Sequence, residues 1–386
     1  MLTTLAVRGY RSLRDVVLDL GALTVVTGAN GTGKSSLYRA LTLLADAARG
    51  RLVGGLAAAG GLPSVLWAGP ESISGAMRRG EVPVQGTGGR RAPISLGLGF
   101  ATADLGYLID LGLPSPGAPT MFLRDPEIKR EVIFGAPVLR PAALLVERNR
   151  STVRVREEHG LTDLGWRLPV HAGLLDELAD PLHHPDVAAI RAEVLGWRCY
   201  DSFRVDAAAP ARQPHVGTRT EVLAADGADL ASAVQTILES AWAGPFAAAV
   251  ADALGARLRV VESLGRFEVV LAADGMLREL AAAEWSDGTL RFVLLAAALL
   301  SPRPAGLLVL NEPEASLHPD VLPALARLIR DAAGRTQVMV VTHSRPLVRA
   351  LAGHGTVCHE LVKSVGETLV DGQGLLTRPA WNWGAR

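Results

Sequence analysis

Gly28-Ala29-Asn30-Gly31-Thr32-Gly33-Lys34-Ser35 fits the pattern G-x-x-x-x-G-K-[ST] at every fixed position. Just upstream, Leu23-Thr24-Val25-Val26-Thr27 is a short β-branched run that predicts a buried strand. Just downstream, Ser35 to Leu41 carries helical apolar spacing. Strand, glycine-rich turn and helix, in that order, make a phosphate cradle, because loop N–H groups and the helix N-terminus converge on an anion. The lysine adds weight: the chain has three lysines (Lys34, Lys129, Lys363) against 36 arginines. Keeping lysine here suggests that a compact point charge is needed rather than a planar fork. A chance match would arise on the order of once in a few hundred chains of this composition. The bland alternative is an ordinary glycine-rich strand–helix turn, and both fit and context argue against it. The stretch predicts a nucleoside triphosphate with Mg²⁺. Lys34 would reach the β- and γ-phosphates and the Ser35 hydroxyl the metal. Asn30, Gly31, Thr32, Gly33 and Ser36 complete the expected cradle.

The rest of the composition bounds the class. With 386 residues, 49% of them hydrophobic and 20% charged, the chain is expected to be globular, with one large core or two smaller ones. A formal net charge of zero argues against a uniformly basic surface, though not against a local patch. Cys199 and Cys358 form no metal spacing and no disulfide framework, which fits a reducing cytosol. No secretory leader pattern opens the chain, and the longest fully apolar run, Phe292 to Leu300, is too short to span a bilayer and predicts a buried helix. A soluble, cytoplasmic protein without membrane contact is expected. There is no internal repeat and no heptad run long enough for a coiled coil.

Leu2 to Val7 and Val16 to Leu20 predict two strands ahead of the phosphate-loop strand, and the first helix is expected to end near Ala48 to Gly50. Gly50 to Pro93, rich in glycine and proline, predicts loop with short helical pieces. Ile94–Phe100, Leu105–Asp110, Val132–Phe134, Ala143–Glu147 and Thr152–Arg156 predict a second, antiparallel sheet, followed by a helical segment from about Leu174 to Trp197. Asp229–Ala241, with Asp229 as cap, and Pro245–Leu254 predict helices; Arg257–Val261 and Phe267–Leu271 predict a hairpin around Gly265. From Trp285 onward the pattern is α/β: helix Thr289–Leu300, strand Leu307–Leu310, helix Pro319–Ala333, strand Val338–Val341 and a short helix after Arg345. The expected organisation is a discontinuous core of residues 1–50 and 280–375, an inserted β and helical lobe over 51–279, and a tail over 376–386.

Three further motifs carry chemistry. Leu307-Leu308-Val309-Leu310-Asn311-Glu312-Pro313-Glu314 is an apolar strand with acidic residues at its C-terminal end, where open α/β sheets bind ligands. Glu312 stands where a general base for water would stand. Asn311 stands where an aspartate normally helps hold Mg²⁺; its amide can bond a metal-bound water but adds no charge. Val340-Val341-Thr342-His343-Ser344 delivers one histidine to a sheet edge, which alone is weak evidence but gains from the other motifs. In Trp285-Ser286-Asp287-Gly288-Thr289-Leu290, Ser286 can cap a helix and Gly288 can let backbone approach a ligand; a plain helix cap is the bland reading.

The four motifs, in this order, resemble the ABC-type ATPases of the SMC/RecF class, within the group labelled AAA-family ATPases. Tyr10-Arg11-Ser12-Leu13 and the Gly28–Ser35 loop are similar to their first strands and phosphate loop, and Ser286-Asp287-Gly288-Thr289 to their signature loop. Asn311 to Pro319 is similar to their Walker B and D-loop, and Thr342-His343-Ser344 to their switch histidine. The resemblance covers both ends of the chain. It implies an α/β P-loop NTPase fold of ABC-ATPase type, a mixed sheet core with an antiparallel β lobe and a helical insertion, closest to a compact RecF-like head. It also implies ATP and Mg²⁺ as ligands and ATP hydrolysis with Lys34, Glu312 and His343 as catalytic residues. Ser35, and Asn311 through water, would serve the metal. Two ATP molecules would be sandwiched in a homodimer, each facing Ser286 and Gly288 of the other copy. A nucleotide-gated module of slow or no turnover, acting on a partner effector protein, is the alternative that Asn311 raises. No glutamine fits the Q-loop well; Gln213 and Gln235 are the nearest candidates. DNA is a further expected partner by analogy, with Arg78-Arg79, Arg90-Arg91 and the group Arg148, Arg150, Arg154 and Arg156 as basic surface, although such runs are more often solvated faces.

Overall fold

The computed structural model describes the chain except residues 83, 85–93, 116, 118–119, 274, 354, 375 and 385–386. It comprises two compact units: the first holds residues 1–21, 28–197 and 359–386, the second 22–27 and 198–358. These units cut the chain at other places than residues 50, 279 and 375.

The first unit is organised on an eight-stranded antiparallel sheet. Its order is Leu13–Asp19, Leu2–Tyr10, Leu96–Thr102, Gly106–Gly112, Glu127–Phe134, Leu144–Asn149, Thr152–Glu157 and Gly160–Arg167. The opening strands therefore belong to the antiparallel sheet that sequence patterning predicts for the middle of the chain. The last strand was not expected: Gly160-Leu161-Thr162-Asp163-Leu164-Gly165-Trp166-Arg167 has two glycines and no clean alternation. Central strands are buried on both faces, as in Gly106–Gly112, where every residue is buried. The helix Lys34–Ala47 presents Leu37, Leu41 and Leu44, all fully buried. The expected helical stretch after Leu174 resolves into a single turn, Leu174–Glu177, and a helix, Pro185–Leu195. Residues 376–386 do not stand apart as a tail, because Trp381 packs edge-on against Phe134 and Arg8 lies over the Trp383 ring.

Several expected basic residues of this unit are committed inside it. Arg148 is fully buried and pairs with Glu131, also fully buried, at 3.1 Å. Arg154 pairs with Glu147 at 2.6 Å, and Arg156 donates to the carbonyls of Leu144 and Pro141. Arg79 pairs with Glu81, and Arg78 with the buried Glu367. Arg90 and Arg91 lie outside the described residues. The alternation of Arg148, Arg150, Arg154 and Arg156 thus does not form one exposed basic face, because Arg148 points into the core.

The second unit carries a parallel sheet in the order Arg198–Tyr200, Leu307–Asn311, Gln337–Val341 and Leu23–Gly28. Leu307 to Leu310 and Gln337 to Val341 are buried throughout, the continuous apolar pattern that a sheet covered on both faces requires. Asp287–Leu299 is buried on all sides from Leu290 onward, so the long apolar run is a core helix. Leu322–Ala333 covers the sheet with one apolar face that includes Leu325 and Ile329. Arg257–Val261 and Phe267–Leu271 do form a hairpin, as strands Ala256–Ser263 and Arg266–Ala273. Asp229 precedes the helix Leu230–Leu238 but does not cap it; its carboxylate accepts from the Ala224 N–H instead.

Candidate functional site

The phosphate loop closes on itself through its own side chains. Gly33 caps the helix Lys34–Ala47 with φ 105°, and a Cβ there would lie 2.5 Å from Thr368 Oγ1. Thr368 Oγ1 donates to the Thr32 carbonyl at 2.6 Å and lies 2.8 Å from Ser12 Oγ, so both residues brace the loop. Thr32 Oγ1 donates to the Ala29 carbonyl at 2.8 Å. Lys34 is buried, and its Nζ donates to the carbonyls of Gly28 (2.7 Å) and Ala29 (2.9 Å). These bonds hold the ammonium against the start of the loop. Asn30, Gly31 and Ser35 are exposed, whereas Ser36 is buried on the inner side of the helix. The first helical turn holds no acidic side chain that would repel an anion. Thr368 escaped sequence reading because it is a lone hydroxyl far from the motif in the chain, and with it the contact made by Ser12 of the Tyr10–Leu13 stretch.

In the second unit, strand register brings the Asn311 and His343 motifs to one sheet edge. Val26 pairs with Val341, Asn311 with Val341, and Tyr200 with Leu310. Thr27, Asn311, Thr342 and Asp201 therefore leave the sheet at the same C-terminal edge, the ligand-binding end of parallel sheets. The phosphate loop begins one residue beyond Thr27.

Glu312 occupies the left-handed region at φ 46°, where a residue with a Cβ costs about 1 kcal/mol or more. Its N–H donates to the Val341 carbonyl at 2.7 Å, which holds the turn. Its carboxylate Oε1 lies 3.4 Å from His343 Nδ1, and both side chains are partly exposed. Glu314 is buried and organises the histidine turn: its Oε1 accepts from Thr342 Oγ1 (2.5 Å) and from the N–H groups of His343 and Ser344 (both 3.2 Å). Asn311 Nδ2 donates to Asp201 Oδ1 at 2.8 Å. Arg291 is buried behind this edge, donating to the carbonyls of Phe203 and Glu312. Burial pulls its pKa down, and the carboxylates of Glu314, Asp201 and Glu312 oppose that shift. Sequence reading singled out Glu312 and His343, which the fold brings within 3.4 Å of each other, and did not single out Asp201, Arg291 or Glu314 beside them. The short strand Arg198–Tyr200 that carries Asp201 has no apolar run to reveal it.

The signature loop has roles within its own chain. Ser286 Oγ accepts from the Thr289 N–H at 3.2 Å and caps the helix Asp287–Leu299. Arg212, buried, ties the loop down through Asp287 Oδ1 (2.8 Å) and the Trp285 carbonyl (2.7 Å). A Cβ on Gly288 would come within 2.8 Å of the Ser316 carbonyl oxygen. Ser286 and the Ser316 that Gly288 faces are exposed.

A parallel sheet whose strand Leu23–Gly28 runs on into a glycine-rich loop and a helix defines a P-loop NTPase fold. Solved SMC head domains share it. The SMC head bound to the C-winged helix domain of ScpA matches with a TM-score of 0.50 at 15% identity, covering 97% of this chain and 98% of that one. The SMC head with an extended coiled coil bound to the C-terminal domain of ScpA, from Pyrococcus furiosus, matches with a TM-score of 0.50 at 13% identity, covering 96% and 95%. By sequence, residues 23–350 match the family described as "AAA domain, putative AbiEii toxin, Type IV TA system", and the chain belongs to that family. No curated protein matches. Among the described residues, no helix is long and apolar enough to cross a membrane.

Proposed function

We propose that the protein binds ATP with Mg²⁺ and hydrolyses it to ADP and phosphate, acting as an ATP-driven dimer switch. The observation that carries this reading is Glu312, held in a strained backbone conformation 3.4 Å from His343 at the edge where the phosphate-loop strand ends. Strain kept at such a position is consistent with a functional demand on the side chain. Lys34 supplies positive charge to the β- and γ-phosphates, and the loop N–H groups and helix N-terminus hold their oxygens. Glu312 accepts a proton from water as the water oxygen bonds to the γ-phosphorus and the bond from that phosphorus to the β–γ bridging oxygen breaks. His343 orients the Glu312 carboxylate and contacts the transferred phosphoryl group. Ser35 and Asn311 offer hard oxygen donors suited to Mg²⁺; Asn311 Oδ1 is buried with no hydrogen-bond partner among the described residues, an acceptor fit for a metal-bound water. Ser35, and Asn311 through a water, would hold Mg²⁺, which would offset phosphate charge when bound.

In the dimer, Ser286 and Gly288 of one copy face the γ-phosphate bound by the other. The fold shared with SMC heads and the family's toxin–antitoxin description support a setting in DNA repair, DNA maintenance or defence, in the cytoplasm, with DNA or an effector protein as partner. Phosphate release that disappears in Lys34→Ala tests the activity, and sedimentation of Glu312→Gln with ATP tests the switch. A Glu312→Gln protein that stays monomeric with ATP removes the switch. The uncharged amide of Asn311 favours a second reading, a nucleotide-gated module with slow or no turnover. ATP-induced dimers without steady-state phosphate release would select it.

A further inference from the structure

Asn311 removes a negative charge from the position expected to serve the metal, yet its neighbour in the sheet is a carboxylate. The strand Arg198–Tyr200 runs parallel to Leu307–Asn311, with Tyr200 opposite Leu310. The next residue on each strand is therefore Asp201 and Asn311, and their side chains meet at 2.8 Å. An ionised carboxylate only accepts hydrogen bonds, so the Asn311 amide must turn its Nδ2 toward Asp201. Its oxygen then faces away from Asp201. That oxygen is buried and, among the described residues, has no hydrogen-bond partner. The carboxylate thus fixes an amide whose acceptor is unsatisfied, a costly arrangement unless a donor arrives.

We propose that Asp201 is a positioning residue for the metal of the nucleotide complex, supplying from the adjacent strand the charge that Asn311 lacks and orienting the Asn311 oxygen toward a metal-bound water. This rests on the nucleotide-binding reading above. The acidic function is split between two strands: Asn311 keeps the ligand position and Asp201 provides the charge behind it. Asp201 is exposed at a strand end, so an isosteric amide there leaves the core untouched.

The experiment titrates Mn²⁺ into the full chain with a non-hydrolysable ATP analogue, following free Mn²⁺ by EPR and subtracting binding by the analogue alone. Asp201→Asn is expected to weaken protein-dependent Mn²⁺ binding about tenfold, the scale of losing a residue that orients a metal ligand. Analogue binding in EDTA and the melting temperature stay unchanged. The exchange Asp201→Asn with Asn311→Asp returns the charge to the neighbouring strand and is expected to recover Mn²⁺ affinity to within a few-fold. Wild-type affinity in Asp201→Asn, or no recovery in the exchange, overturns the proposal. If the wild-type protein binds no analogue at all, the nucleotide-binding reading fails as well, so the two failures are distinguishable.

Discussion

Two clusters of charged residues, one in each unit, use similar chemistry to opposite ends. In the first unit Glu131 and Arg148 are both fully buried. Glu131 also accepts from Tyr107 Oη at 2.7 Å and from the Leu174 N–H at 2.9 Å, and Arg148 donates to the carbonyls of Arg150, Ala172 and Pro169. Burial raises the Glu131 pKa, with the Arg148 charge pulling against it. In the second unit Glu312 and His343 are partly exposed, Glu312 is strained, and Asn311 Oδ1 and Glu314 Oε2 are buried without hydrogen-bond partners among the described residues. A closed network ties segments of the chain together, whereas an open and incompletely satisfied one is prepared for a ligand. Burial and satisfaction, rather than charge, separate the structural cluster from the proposed functional one.

The largest expected effect breaks the functional cluster and spares the fold. Glu312→Gln removes the proposed general base, so phosphate release should fall by about 10²- to 10⁴-fold. ATP affinity and the melting temperature should stay near wild type. A Glu312→Gln protein that retains wild-type turnover would assign the proton to another group. The converse change is Arg148→Ala, which leaves Glu131 buried and unpaired and should destabilise the first unit by about 3–5 kcal/mol. Urea unfolding measures it, with turnover per folded molecule unchanged. A loss below about 1 kcal/mol would show that the pair is not the closed structural unit described.

What the sequence disclosed follows the same divide. The apolar strands Leu23–Gly28, Leu307–Asn311 and Gln337–Val341 and the glycine-rich loop are contiguous patterns, so local reading recovers them. Glu312 follows its strand directly and His343 follows the next with one residue between, so local reading could place both at the sheet edge. Arg148 misled because strand periodicity gives a face without saying which face is covered; the pairing of Glu131 with Arg148 across adjacent strands settles that. Asp201, Thr368 and the contact that Thr368 makes with Ser12 were hidden for another reason. Asn311 meets Asp201 across 110 positions of chain, and Thr368 meets Ser12 across 356, so only the folded register joins them.

Gly288 sharpens the comparison at smaller scale. Because a Cβ there would press on the Ser316 carbonyl, Gly288→Ala should cost about 1–3 kcal/mol in the protein without nucleotide, read as a lower melting temperature. A glycine needed only to face a partner's phosphate would leave that temperature unchanged and weaken only ATP-dependent dimers.

The smallest expected effect has the opposite sign. Glu312 sits at φ 46°, a conformation that glycine adopts without the steric penalty of a Cβ. Glu312→Gly should therefore stabilise the second unit by roughly 1 kcal/mol while abolishing turnover. Its loss of the His343 contact weighs little against this, because that contact lies at a partly exposed edge where ion pairs contribute about 0–1 kcal/mol. Glu312→Ala provides the control: it loses the same carboxylate but keeps a Cβ, so it should show no stabilisation. Equal stability of the glycine and alanine variants in urea would mean that the turn bears no strain, and the edge of the second unit would then resemble the relaxed network around Arg148. A more stable glycine variant with no phosphate release would mean that the strain is held for the side chain's chemistry, at the expense of the fold.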